Sequence, residues 1–388
     1  MVINFASQGD ESPLLELMES DRVLQSSFEA MQRTIQSADA LGQLSELSPE
    51  NFRVAVGPVM SALAAGTTVD LENLTYSQEA MSVSALGVLK AIGRAIAEFF
   101  KAVLDYLTSL DLAAIWLGRK VSVLAKTVPT TNGMQATVST IPIGRQAKFL
   151  RVGVKYIRDA TRLEQELKYL DKAIGAISGT YAHGLIETAT RMPGAVRGKS
   201  GDLLELAMVE LIEKIPFDRV AQQLDMQSAP HERFNRANVQ VSKPLLGGHS
   251  IFYLQADLLK KGVSGFTFHG LMYEKTLGND LKIDSHVDFD VMRPNQIGHI
   301  PEVLKSILGS LSSASNLPVR TAISRAKASL NNLTTNMEGT EHDVSLVRRT
   351  VSALTYWMGN PSRQLYSNSM SVVRASITYC EDSIKTYK

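Results

Sequence analysis

From Ala85 onward, Leu89, Ile92, Ile96, Phe99, Phe100, Val103, Leu107 and Leu110 recur at the three- and four-residue spacing of one helix face, with Lys90, Arg94, Lys101 and Asp105 opposite. The spacing predicts an amphipathic helix that continues, with or without a break, through "AAIWLGRKVSVLAK". Upstream, Ser12-Pro13 and Ser48-Pro49-Glu50 each place a good N-cap residue before proline, so helices are expected through "LLELMESDRVLQSSFEAMQRTIQSADAL" and "NFRVAVGPVMSALAAG". Between these and the long helix, "GTTVDLENLTYSQEAMS" has little apolar periodicity and reads as an accessible connection. "TVPTTNGMQATVSTIPIG" reads as a loop or small β excursion. A second long helix is expected near Arg145 to Met192, with Val154, Ile157, Leu163, Leu167, Leu170, Ile174, Ile177 and Tyr181 on one face, and a third over Leu203 to Leu224.

The period then changes to two. "NVQV", "SIFYLQ", "SGFTFHG", "LMYEKTL" and "LKIDSHVDFDVM" are short β-branched or aromatic runs separated by turn signals such as Gly247-Gly248 and Gly278-Asn279-Asp280. Helices resume at about Ile300 and break at Pro318, Gly339 and Gly359-Asn360-Pro361. The expected fold is therefore mainly α, an elongated helical bundle with a small inserted antiparallel β module. Its expected parts are an acidic helical leader at 1–79, a long-helix bundle at 80–232, a β-rich insert at 233–293, and C-terminal helices at 294–388 that complete the bundle.

Composition narrows the class. A chain of 388 residues with 44% hydrophobic and 20% charged residues can bury a substantial core. The single cysteine, Cys380, excludes an intramolecular disulfide framework. No secretory signal is expected at the N-terminus, and Lys90, Arg94, Glu98, Lys101 and Asp105 interrupt the best candidate for a membrane span. The net charge of +1 hides a split: residues 1–79 hold 12 Asp and Glu against 3 Lys and Arg, net −9, and the remainder holds 27 against 37, net +10. An acidic leader ahead of a basic body suggests masking or targeting before contact with a polyanion.

Candidate chemistry is sparse. On a strand, His286, Asp288 and Asp290 fall on one face and suit a divalent metal, but the same alternation describes a solvated face with Val287, Phe289 and Val291 inward. No metal site is assigned on that pattern. Phosphate-cradling and dinucleotide glycine loops are missing, as is a nucleophile elbow, and Cys380 has no activating base in view. No enzyme activity and no cofactor are expected. Arg119-Lys120, Lys260-Lys261 and Arg348-Arg349 are dispersed basic pairs, suited to loose, salt-dependent phosphate contacts. Phe99, Phe100, Tyr106 and Trp116 fit either a bundle core or a helix lying on a membrane.

Ser77-Gln78-Glu79, followed by Ala80, stands at the point where the charge changes sign. With this triplet, the aromatic-rich helix after it, the segment from "GND" into "IGHIPEVLKSILGSL" and the terminal helices, the chain resembles the internal head and virion structural proteins of phiKZ-like giant bacteriophages. The resemblance implies cutting after a small-x-Glu triplet by a prohead protease, and packaging of the mature part in the capsid with the genome. Ser27-Phe28-Glu29 and Ser48-Pro49-Glu50 match the triplet only formally. The implied partners are phage capsid or scaffold proteins, the protease, packaged DNA and further copies of the chain. The implied location is the capsid interior, after assembly in the host cytoplasm. The alternative is an effector that uses the helix at 85–110 on a bilayer.

Overall fold

The computed structural model describes residues 12–44, 78–131, 133–229, 238–276, 287–336 and 340–387. The expected helix start at Ser48, the turn Gly278-Asn279-Asp280 and the break at Gly339 lie outside them. Helix α1 (Ser12–Leu44) begins at the Ser-Pro pair. Helix α2 (Gln78–Thr127) runs without a break for 50 residues, about 75 Å at 1.5 Å per residue. Just past its end Pro129 has no N–H for a further turn, and the chain tightens into a 3₁₀ turn at Val128–Thr131.

The second long helix starts later than its apolar spacing suggests. Strand β1 (Thr140–Ile143) is followed by a 3₁₀ turn at Arg145–Phe149 and by a hairpin of β2 (Arg151–Val152) and β3 (Lys155–Tyr156). Gly153, with φ +57°, supplies the positive dihedral that the two-residue hairpin needs at its first central position, and leaves Val154 exposed rather than on a helix face. Helix α3 (Ala160–Gly175) begins where Asp159 accepts hydrogen bonds from the N–H groups of Thr161 and Arg162. A π-helical turn at Ala176–Tyr181 carries the helix into α4 (Ala182–Val196). The expected third helix is two, α5 (Gly201–Ile212) and α6 (Phe217–Gln223), parted at Pro216, whose ring packs directly on Gly184.

The β region also departs from the pattern in two places. Strands β4 (Gln227–Ser228), β5 (Asn238–Val241), β6 (His249–Gln255) and β7 (Gly270–Lys275) form one antiparallel sheet in that order. "SGFTFHG" is not a strand. After the short helix α7 (Leu258–Lys261), capped by Asp257, it coils into a 3₁₀ segment at Gly262–Phe268, because Gly262 takes φ +57° and its neighbour Val263 donates its N–H to Glu205. Strand β8 (Val287–Asp290) leaves the sheet and pairs antiparallel with β1, since Phe289 packs on Tyr156 and Tyr379 in the main core.

After a short turn of helix, α8 (Pro294–Ile297), the remaining helices are α9 (Ile300–Ser313), α10 (Leu317–Asn336), α11 (Glu341–Gly359) and α12 (Ser362–Lys385). The turn at Asn360-Pro361 separates the last two, as read from the sequence. The fold is mainly α with small antiparallel sheets. One continuous hydrophobic cluster joins residues from α1, α2, the sheet and the C-terminal helices. A small second cluster, Val239, Phe252 and Leu254, lies on the opposite face of the four-stranded sheet.

Candidate functional site: the seam under the N-terminal helix

The expected cleavage triplet straddles the start of α2. Ser77 lies outside the described residues, and Gln78, Glu79 and Ala80 form the first helical turn. The basic pairs stay on separate elements: Arg119 and Lys120 on α2, Lys260 and Lys261 at the end of α7, Arg348 and Arg349 within α11. Some of that charge is engaged locally. Lys120 lies 4.2 Å from the centre of the Trp116 ring, Lys261 lies 5.5 Å from that of Phe268, and Lys260 pairs with Asp257 at 2.9 Å.

His286 is outside the described residues, and Asp288 and Asp290 point to solvent on β8 while Val287 and Phe289 point inward. Among the described residues no three His, Cys, Asp or Glu side chains converge where a metal would sit. Cys380 is fully buried, and that burial pushes its thiol far above the ordinary range. Ile92, Ile96, Phe99, Phe100, Tyr106 and Leu110 of α2 are buried in the core, so this apolar face is already covered by protein. Among the described residues no helix is long and apolar enough to cross a membrane.

The structure brings its polar features together elsewhere, along α1. Leu14, Leu17, Asp21, Leu24, Phe28 and Met31 follow a strict alternation of three and four residues and form the face of α1 that packs on α2, α11 and α12. Five of the six are apolar. The sixth, Asp21, interrupts the stripe with a carboxylate, while Glu16, Glu19 and Glu29 stay on the exposed side of the helix. The heptad with one misplaced charge is the sequence signal that would have located this site.

Asp21 Oδ2 accepts a hydrogen bond from Arg363 Nη1 at 2.8 Å, and the two side chains are only 23% and 15% exposed. Arg363 is held in turn by its backbone, whose carbonyl accepts from the Tyr106 hydroxyl at 3.0 Å. Burial raises the Asp21 carboxyl above its ordinary range, and Arg363 beside it only partly offsets this. Further along the seam, Ser352 Oγ donates to Gln32 Oε1 at 2.8 Å, and Phe28 packs between Phe99 and Tyr356.

Three cavities open along the same seam, and each has a wall from α1. The first, about 710 Å³, is lined by Asp21, Arg363, His249, Tyr273, Glu274, Lys275, Gln364, Ser367, Asn368 and others. The second, about 550 Å³, is aromatic, with Phe266, His269, Tyr356 and Trp357 beside Gln32 and Arg349. The third, about 160 Å³, lies under Leu24, Gln25 and Phe28. Within the first, His249 stacks on Tyr273 with ring centres 4.9 Å apart and planes 9° from parallel. Burial lowers the His249 imidazole below its ordinary value and keeps it neutral.

Fold and site together define a mainly α protein with its N-terminal helix laid across a helical body and cavities along the join. The chain belongs to the phiKZ-like phage internal head proteins, whose family model matches residues 13–382 and so takes in α1 as well as the body. No curated protein and no solved structure matches it.

Proposed function

We propose that the chain is a non-enzymatic structural component of the phage head interior, cut after Glu79 during assembly, whose basic body then contacts packaged DNA. The observation that carries this reading is the charge split of −9 and +10 on the two sides of Ser77-Gln78-Glu79. The position of the triplet supports it further. The first turn of a helix has N–H groups without intrahelical partners and opens at little cost, which a protease needs if it is to take up an extended backbone. The cut severs the covalent link to α1 and leaves that helix held by side-chain contacts alone.

Release of the leader removes 12 acidic residues and leaves a body of net +10, which favours phosphate-rich surroundings through non-specific, salt-dependent contacts. It also uncovers the apolar groove along Phe99 and Tyr356, a surface for further copies of the chain or for capsid or scaffold proteins. The test is the intact mass and N-terminal sequence of the chain taken from mature particles. The expected start is Ala80; a chain that starts upstream of it would remove the processing step from this account.

A further inference from the structure

We infer that the cavity beneath Asp21 is a phosphate-binding site in which the Asp21 carboxylate stands where a phosphate oxygen would bind. The site rests on the geometry of the full chain; its unmasking during assembly rests on the processing reading above. Arg363 is the central group. Its guanidinium is mostly buried, and a buried arginine stripped of its anion is costly, so it recruits another when the carboxylate leaves. By contrast, the cross-element pair Lys172–Asp225 is 48% and 64% exposed and loses little if parted.

One carboxylate contact does not complete the site: the pair is made through a single Oδ2 contact, and Asp21 Oδ1, shielded from water, accepts no hydrogen bond. Lys275 adds a second cation at the rim. Arg363 stands in the first turn of α12, where the helix dipole favours negative charge and no side chain caps the free N–H groups.

Glu274, also in the lining, opposes an anion, so Arg363 and Lys275 must together outweigh it. A tetrahedral oxyanion with several acceptors meets this donor set better than a second carboxylate does. The volume of about 710 Å³ leaves room for the sugar of a phosphodiester as well as for a free phosphate.

The test uses the full-length chain with Asp21→Ala, which removes both the charge and the oxygens that occupy the site, titrated with inorganic phosphate by calorimetry. Expected is binding at least about tenfold tighter than in the unaltered chain, with the gain abolished in the Asp21→Ala/Arg363→Gln double variant. Asp21→Asn, which removes the charge and keeps an amide against Arg363, should show a smaller gain, and unchanged far-ultraviolet circular dichroism controls for folding. No gain in either variant, or a gain that survives Arg363→Gln, overturns the site. Competition by a short DNA duplex assigns a nucleic-acid backbone as the source of the phosphate, and binding without competition assigns a free one. Arg363-dependent binding with head-derived chain that still carries residues 1–79 upholds the site and removes the processing step. Head-derived chain starting at Ala80 with no phosphate gain does the reverse.

Discussion

Phe28 and Tyr356 meet with ring centres 5.6 Å apart and planes inclined at 47°, so the N-terminal helix is stitched into the core by an aromatic contact with α11. Phe99 closes the same cluster from α2 at 6.1 Å. Truncation by Phe28→Ala removes contacts to both and is expected to cost about 2–3 kcal/mol, somewhat under the range for a fully buried phenylalanine. Urea unfolding of the full chain measures it. A helix that merely lies on the body would give a change within about 0.5 kcal/mol.

Gly270 has φ +122°, and a Cβ there would stand 2.5 Å from Trp357 Nε1. The indole cannot retreat easily, since it is 1% exposed and its Nε1 donates to the His269 carbonyl at 2.9 Å. Gly270→Ala combines backbone strain with a clash and should destabilise by about 2–4 kcal/mol. Thermal unfolding monitored by tryptophan fluorescence will read both the loss and the disturbance of Trp357.

His269 makes stability depend on pH. Burial depresses its imidazole to about 4, and Nδ1 accepts the Ala256 N–H, a contact that requires the neutral ring. In the unfolded chain the ring takes up a proton near pH 6.5. The unfolded state therefore holds more protons between about 6.5 and about 4, and stability falls as pH drops through that window, by about 3 kcal/mol in total. Asp21, Glu166 and Glu381, whose carboxyls burial raises, act in the opposite sense on acidification. The readout is thus the difference between the unaltered chain and His269→Gln, which should narrow progressively from pH 7 to pH 4.

Asp343 ties two helices together. Its Oδ1 accepts from the Gly201 N–H at 2.7 Å at the start of α5, while its Oδ2 accepts from Thr340 Oγ1 at 2.9 Å in the cap of α11. Asp343→Ala leaves both helix ends short of a partner and should cost about 1–2 kcal/mol. Denaturant midpoints will show it, with Thr340→Ala as the smaller, single-helix comparison.

Cys380 should be inert toward a thiol reagent in the folded chain and react at once in denaturant, because it is fully buried and its thiol is held protonated. Rapid labelling of the native protein would show that α12 opens without global unfolding.

The candidate site was legible only in part. The alternation that sends Asp288 and Asp290 outward and Val287 and Phe289 inward is local, and so are the N-terminal start of α1 and the turn between α11 and α12. Asp21, by contrast, was one acidic residue among 12 in a leader read by its total charge. Nothing near it in sequence announces Arg363 or Tyr273, which arrive from the first turn of the last helix and from the four-stranded sheet.

The sequence by itself determined which faces must leave water: the stripe on α2, the period-two runs of β5, β6 and β7, and the breaks at proline and glycine between helices. These are properties of spacing and backbone chemistry, decided within a few residues. Only the tertiary structure decided what covers each face. The same apolar run near Phe149 and Val154 becomes a hairpin because Gly153 accepts a positive φ, and β8 joins β1 rather than its neighbours because Phe289 fits between Tyr156 and Tyr379. An amphipathic helix pattern specifies that a partner exists and leaves its identity open. For α1 that partner is the body of the same chain, with a carboxylate set against a buried guanidinium at the centre of the join.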